Sequence, residues 1–141
     1  MGNIDKSLIA LSNLAIPSNE IVGKGLGDLI ESNKADNISK LTNTFIDRNH
    51  NFLLKIFQYI NKEEETYKNF VENIYKKEDQ NNAKDFFEEF RVFAIKTYFA
   101  HPYVIKKLNF FQNFVYDNID KAKDKKILNS LNNNYNNDLN R

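Results

Sequence analysis

Apolar residues along this chain recur at three- and four-residue spacings, and strict alternation is nowhere sustained, which predicts helices throughout. Leu8, Leu11 and Ala15 line a short first helix. Pro17 stops it, because the residue before a proline, here Ile16, is pushed out of the α region. Ser18 is placed to cap a second helix reaching to Glu31. That segment carries Gly23, Gly25 and Gly27. Each glycine costs about 1 kcal/mol against Ala in a helix interior, so the segment is expected either to fray or to pack too closely for a Cβ. Asp36 or Asn37 then caps a helix with Ile38, Leu41 and Phe45 on one stripe, which Leu53, Ile56, Phe57 and Ile60 continue after the polar run 47–51. Tyr67, Phe70, Val71, Ile74 and Tyr75 make a further amphipathic helix, and the polar stretch 76–82 reads as a break. Phe86, Phe90, Phe93 and Thr97 define a long helix, followed by another along Val104, Leu108, Phe111, Val115 and Ile119.

The fold class expected from this pattern is all-α: a compact bundle of five to six helices, with residues 1–120 as one helical domain and 121–141 as a flexible Lys/Asn-rich tail. Between the last two helices stands His101-Pro102. Proline is tolerated where a helix begins and excludes the preceding residues from the earlier one, so a corner is expected there. Phe87, Phe90, Phe110 and Phe111 are expected to face one core across it.

Composition narrows the function more than the fold. With 41% hydrophobic and 28% charged residues the chain is globular rather than disordered, and twelve Phe with seven Tyr and no Trp make aromatics the main core filler. Twenty basic against nineteen acidic residues lack the excess of a duplex-binding domain, so nucleic acid is not the expected partner. Lys121, Lys123, Lys125 and Lys126 form the one basic cluster, diluted by Asp117, Asp120 and Asp124. It suits a solvated helix end, or contact with nucleic acid or an anionic membrane. There is no Cys, hence no disulfide or thiolate chemistry. No run of apolar residues is long enough to span a bilayer, and the N-terminus shows no signal sequence.

His101 is the best-placed single candidate for chemistry, at a helix end beside Tyr98 and Tyr103. Its titration near neutrality suits a proton carrier, while its position suits a helix cap better. Asp47 and His50 share a helical face but lack a third metal ligand. The run 23–27, Gly-Lys-Gly-Leu-Gly, lacks both the Walker spacing and the preceding strand that phosphate-binding loops need. Adjacent carboxylates at 63–65 and 88–89 diverge around a helix, leaving Glu88 to pair with Arg91, whose stem is expected half-buried among phenylalanines. No catalytic, cofactor-binding or metal-ligating residue is assigned on these grounds.

Two segments resemble one family. Residues 8–30, LIALSNLAIPSNEIVGKGLGDLI, resemble the N-terminal region of gluconate 2-dehydrogenase subunit 3, where a leucine-rich helix meets Ile-Pro and a run of small residues. Residues 85–104, DFFEEFRVFAIKTYFAHPYV, resemble that family's later motif through Phe86, Phe87, Arg91, Tyr98, Phe99, His101 and Pro102. Such small subunits usually carry a twin-arginine leader, which is not visible here, and YVIKKLN replaces the Gly-Gly-Asn run that often follows the Pro. The resemblance implies a non-catalytic small subunit that supports the stability and maturation of a sugar dehydrogenase. It also implies a FAD-bearing large subunit and a cytochrome subunit as partners, no cofactor in this chain, and a periplasmic or membrane-associated place. The absence of a visible signal reads instead as cytoplasmic, and the alternative function is a cytoplasmic helical interaction or regulatory protein, with its Lys-rich end as the contact for nucleic acid. With the resemblance, the aromatic corner is the expected partner-binding surface, with Phe87, Arg91, Tyr98, His101, Pro102 and Tyr103 as its residues.

Overall fold

The computed structural model describes residues 2–32, 36–60 and 66–120. They are all-α, with six α-helices: α1 (Asn3–Ala15), α2 (Leu26–Glu31), α3 (Asp36–Ile56), α4 (Tyr67–Lys77), α5 (Gln80–Ala100) and α6 (Pro102–Asp120). A single 3-10 turn, Phe57–Tyr59, follows α3. The residues group into two units, Met1–Ile105 and Lys106–Arg141. The first holds α1 to α5 and the opening turn of α6, and the second holds the rest of α6.

The first unit is built on α5 packing along α3. Phe45 and Phe52, seven residues apart on α3, meet Phe86, Phe90 and Phe93 on α5. Phe45 stacks on Phe93 with ring centroids 4.6 Å apart, and Phe52 stacks on Phe86 at 4.4 Å. Offset stacking and edge contacts are the arrangements that aromatic quadrupoles favour, and they add to the area each ring buries. The polar run 47–51 does not interrupt α3 but bends it. Asn49 leaves helical geometry (φ −120°, ψ 19°), and its side-chain amide donates to the Phe45 carbonyl at 3.0 Å. A side chain serving the backbone in this way is a recognised cause of helix bending.

Caps set the boundaries more than hydrophobic periodicity does. Thr66 Oγ1 accepts from the Asn69 N–H and starts α4, while Asp79 Oδ2 accepts from the Asn82 N–H and starts α5. The expected break at 76–82 therefore shrinks to Glu78 and Asp79. The backbone of Asp36 and Asn37 opens α3, but their side chains, on which the expected cap depends, are not described, and the tail 121–141 lies outside the described residues.

The second helix is shorter than its sequence suggests. Residues 16–25 form a loop rather than helix, and Asn19, not Ser18, organises it: its Oδ1 accepts from the Val22 N–H at 2.8 Å. Gly23 takes φ +94°, a conformation that side chains with a Cβ rarely adopt. α2 then begins at Leu26, whose N–H donates to the Ile16 carbonyl. Gly25, at the cap position, has no side chain to offer, and α1 supplies the cap: Asn13 Oδ1 accepts from the Asp28 N–H, and Asn13 Nδ2 donates to Asp28 Oδ1, both at 3.2 Å. Gly27 brings α2 against α1 so closely that a Cβ there would lie 2.2 Å from the Ile9 carbonyl oxygen.

A second correction concerns the core. Phe87 and Phe90 are buried in the first unit, whereas Phe110 and Phe111 of the second are exposed. The last aromatic of α6 within the opening unit is Tyr103, and Val104 supplies the buried apolar contact there.

Candidate functional site

The loop 16–25 closes over the corner between α5 and α6. Asn19 Nδ2 donates to the Tyr98 hydroxyl at 3.2 Å, and the Lys24 ammonium sits 5.1 Å from the centroid of the Tyr103 ring. Cation–π contacts of this kind stabilise modestly at a partly exposed site. Tyr98 is only 5% exposed, so its ring belongs to the core of this chain.

His101 joins the two helices. Its own N–H closes α5 on the Tyr98 carbonyl, and its Nδ1 accepts from the Tyr103 N–H at 3.1 Å. That second bond caps the first turn of α6, a role usually filled by Asp, Asn, Ser or Thr. It requires Nδ1 to carry no proton. Burial holds the His101 pKa below its ordinary value, and the nearby Lys24 charge lowers it further. A depressed histidine pKa means the unfolded chain takes up the proton first as pH falls. The contribution of His101 to stability is therefore complete above about pH 6.5 and is lost as the pH drops from there through the lowered folded value. Urea midpoints measured on either side of that window should fall with acidity in the wild type. They should fall less in His101→Asn, whose Oδ1 can keep the cap without titrating. An identical pH dependence in the two proteins would remove this role from His101.

The six residues expected to form a partner surface thus divide. Tyr98, His101 and Tyr103 are engaged by the chain itself, Pro102 is exposed at the start of α6, and Phe87 and Arg91 lie elsewhere. Phe87 and Arg91 line an open groove of about 580 Å³. Its floor is apolar: Ala15 and Ile16 from the end of α1, Phe87, Phe90 and Ala94 from α5. Tyr67 and Tyr75 from α4 contribute aromatic edges, with Tyr75 stacked on Phe87 at 5.9 Å and Tyr67 in edge contact with Phe87 at 6.4 Å. Lys84, Glu88 and Arg91, one α5 turn or less apart, form a charged rim.

Arg91 is exposed rather than half-buried, and it does not form the expected pair with Glu88. The ion pair found among the described residues is Arg48–Glu89, 3.0 Å, across α3 and α5. Arg91 instead faces Tyr67. Burial raises the Tyr67 pKa, the neighbouring Tyr75 raises it further, and the Arg91 charge partly offsets both. Tyr67 is therefore protonated at neutral pH and available as a hydrogen-bond donor. The groove combines a flat aromatic floor, a phenol donor and a guanidinium that can bind a carboxylate through two parallel bonds.

Other candidates are dispersed. Asp47 and His50 line a polar cleft at the α3 bend, but among the described residues no three His, Asp or Glu converge to hold a metal ion. At the start of α2 the Leu26 and Asp28 amides are met by Ile16 and Asn13, and Gly27 packs tightly against α1, so the 23–27 run acts as a packing element. Among the described residues no helix is long and apolar enough to cross a membrane. Sequence reasoning singled out Phe87 and Arg91 but missed Tyr67, Tyr75 and Lys84, because helical periodicity along one segment does not show which helix will lie beside it.

The chain matches no family model, no curated protein and no solved structure.

Proposed function

We propose that this chain is a non-catalytic accessory protein that docks a larger partner through the groove beside Arg91, and that the partner is the flavoprotein large subunit of a sugar dehydrogenase. The observation that carries the docking reading is the groove itself. An exposed Arg stands over an aromatic floor of Phe87, Tyr67 and Tyr75, the residue types that most often anchor protein interfaces. Its polar groups bind and orient; an Arg, a Lys, a Glu and two phenols around an apolar floor are the furniture of recognition. The identity of the partner rests on the resemblance carried by Phe86, Phe87, Arg91 and the Tyr98–Pro102 segment.

The test is co-expression with a flavoprotein large subunit encoded beside this chain, followed by affinity measurement on the purified complex. Arg91→Ala should weaken the complex by roughly 1–2 kcal/mol or more, as truncated interface arginines do. Its melting temperature alone should be unchanged, because Arg91 is exposed and has no ion pair among the described residues to lose. Copurifying flavin absorbance gives an independent reading of the partner. An unaltered affinity in Arg91→Ala would remove the groove from the interface, and a flavoprotein that never associates would remove the partner.

A further inference from the structure

The seam between α3 and α5 opens outward into a second groove, of about 590 Å³, that shares no lining residue with the one beside Arg91. Its floor is Leu41, Phe45 and Phe93, the two phenylalanines stacked and buried, while Val92 stands 51% exposed on the α5 side. The two helices run antiparallel, since Phe45 meets Phe93 and Phe52 meets Phe86. That register brings Lys40 of α3 and Lys96 of α5 to the same end of the groove, on opposite walls. It sets Arg48 against Glu89 at the other end.

Charge points to the occupant. Glu89 is held by Arg48 at 3.0 Å, which leaves Lys40 and Lys96 exposed, with no carboxylate partner among the described residues. Three cations and one anion line the groove, a net charge of +2. A second copy laid on this face about a twofold axis would bring like charges together, whereas an acidic partner neutralises them. The walls decide the occupant's form. Both are helices whose backbone groups are bonded internally, so an extended strand finds nothing to pair with, while a helix brings its own backbone bonds. From Lys40 to Arg48 the groove runs about 12 Å, the length over which a helix presents apolar anchors at i, i+3 or i+4, and i+7.

We infer that the α3–α5 groove docks an acidic amphipathic helix of a partner protein, its apolar stripe on Leu41 and Val92 and its carboxylates on Lys40 and Lys96. The site is separate from the Arg91 groove and does not rest on the function proposed for it.

Two synthetic peptides of about 18 residues, long enough to form a helix, serve as probes. Both carry leucines on one stripe; one is flanked by Glu and the other by Lys. Fluorescence anisotropy with the full chain should show the Glu peptide binding, less tightly as salt is added, and the Lys peptide binding about tenfold or more weakly. In the isotope-labelled full chain the amide resonances of Leu41, Thr44, Val92 and Lys96 should shift on adding the Glu peptide. Lys40→Glu/Lys96→Glu should lose about tenfold or more of that binding and gain binding of the Lys peptide. Val92→Asp should lose about as much of the Glu-peptide binding. Circular dichroism should stay unchanged in both variants, because all three side chains are exposed. Lys68→Glu/Lys76→Glu, the same charge change on exposed positions of α4, should bind as the wild type does. Absence of Glu-peptide binding, equal binding of the two peptides, or shifts confined to other residues would overturn the inference. A dimer in sedimentation equilibrium that Val92→Asp dissolves would overturn it in favour of a second copy. Flotation with phosphatidylglycerol vesicles that Lys40→Glu/Lys96→Glu abolishes would overturn it in favour of a membrane.

Discussion

Phe90→Ala should destabilise the first unit by about 3–5 kcal/mol, the range for removing a buried Phe ring from a close-packed core. Phe90 is 0% exposed and meets rings from α3, α4 and its own helix α5. Its ring lies 5.9 Å from Phe45, 6.2 Å from Phe86, 6.2 Å from Phe93 and 6.2 Å from Tyr67. The deletion removes both the transfer free energy of the ring and the dispersion contacts of the rings left around the cavity. Because those rings come from α3, α4 and α5, no single rotamer change can refill the space. Phe90→Leu, which keeps most of the volume, should cost markedly less. Urea unfolding followed by far-ultraviolet circular dichroism measures both. A loss below about 1 kcal/mol for the Ala variant would mean that the cluster is not the core. The same substitution widens the floor of the Arg91 groove, so partner affinity should be compared at a temperature where the variant is fully folded.

Gly27→Ala should destabilise by about 2–3 kcal/mol, against the sign that helix propensity alone gives. In an isolated helix Ala is favoured over Gly by about 1 kcal/mol. Here the added Cβ would sit 2.2 Å from the Ile9 carbonyl oxygen and 2.5 Å from Asn13 Cγ. The first obstacle is backbone inside α1 and cannot turn aside, so α2 must move away from α1 as a body. That movement also stretches the paired hydrogen bonds between Asn13 and Asp28 that cap α2. Denaturant midpoints decide the matter, with an exposed α5 position such as Asn81→Ala as a propensity control. A Gly27→Ala protein as stable as the wild type would show that the two helices do not lie this close in solution.

Several elements were legible from residue order. The apolar stripes of α1, α4 and α5 fall where their spacing places them, Pro17 ends α1 within two residues, and His101-Pro102 separates α5 from α6. These features depend on near neighbours, on the 3.6-residue repeat and on what a pyrrolidine ring forbids. The glycine run was legible only as a choice between fraying and close approach, and both occur: Gly23 lies in the loop at positive φ, while Gly27 lies in a tight helix contact.

What the chain order left open is every property that needs a second segment. Whether an aromatic is covered depends on the helix placed beside it, which is why Phe90 is buried and Phe99, further along the same helix, is not. Tyr98 reads as a surface anchor by residue type, yet Asn19, far away in sequence, closes over it. Arg91 reads as half-buried among phenylalanines, yet its place on α5 turns it to the rim of a groove whose other wall is α4. Periodicity is a local property and determined the helices of this protein. Burial, caps supplied across helices and the convergence of Tyr67, Phe87 and Arg91 are long-range properties, and only the packing of those helices against one another decided them.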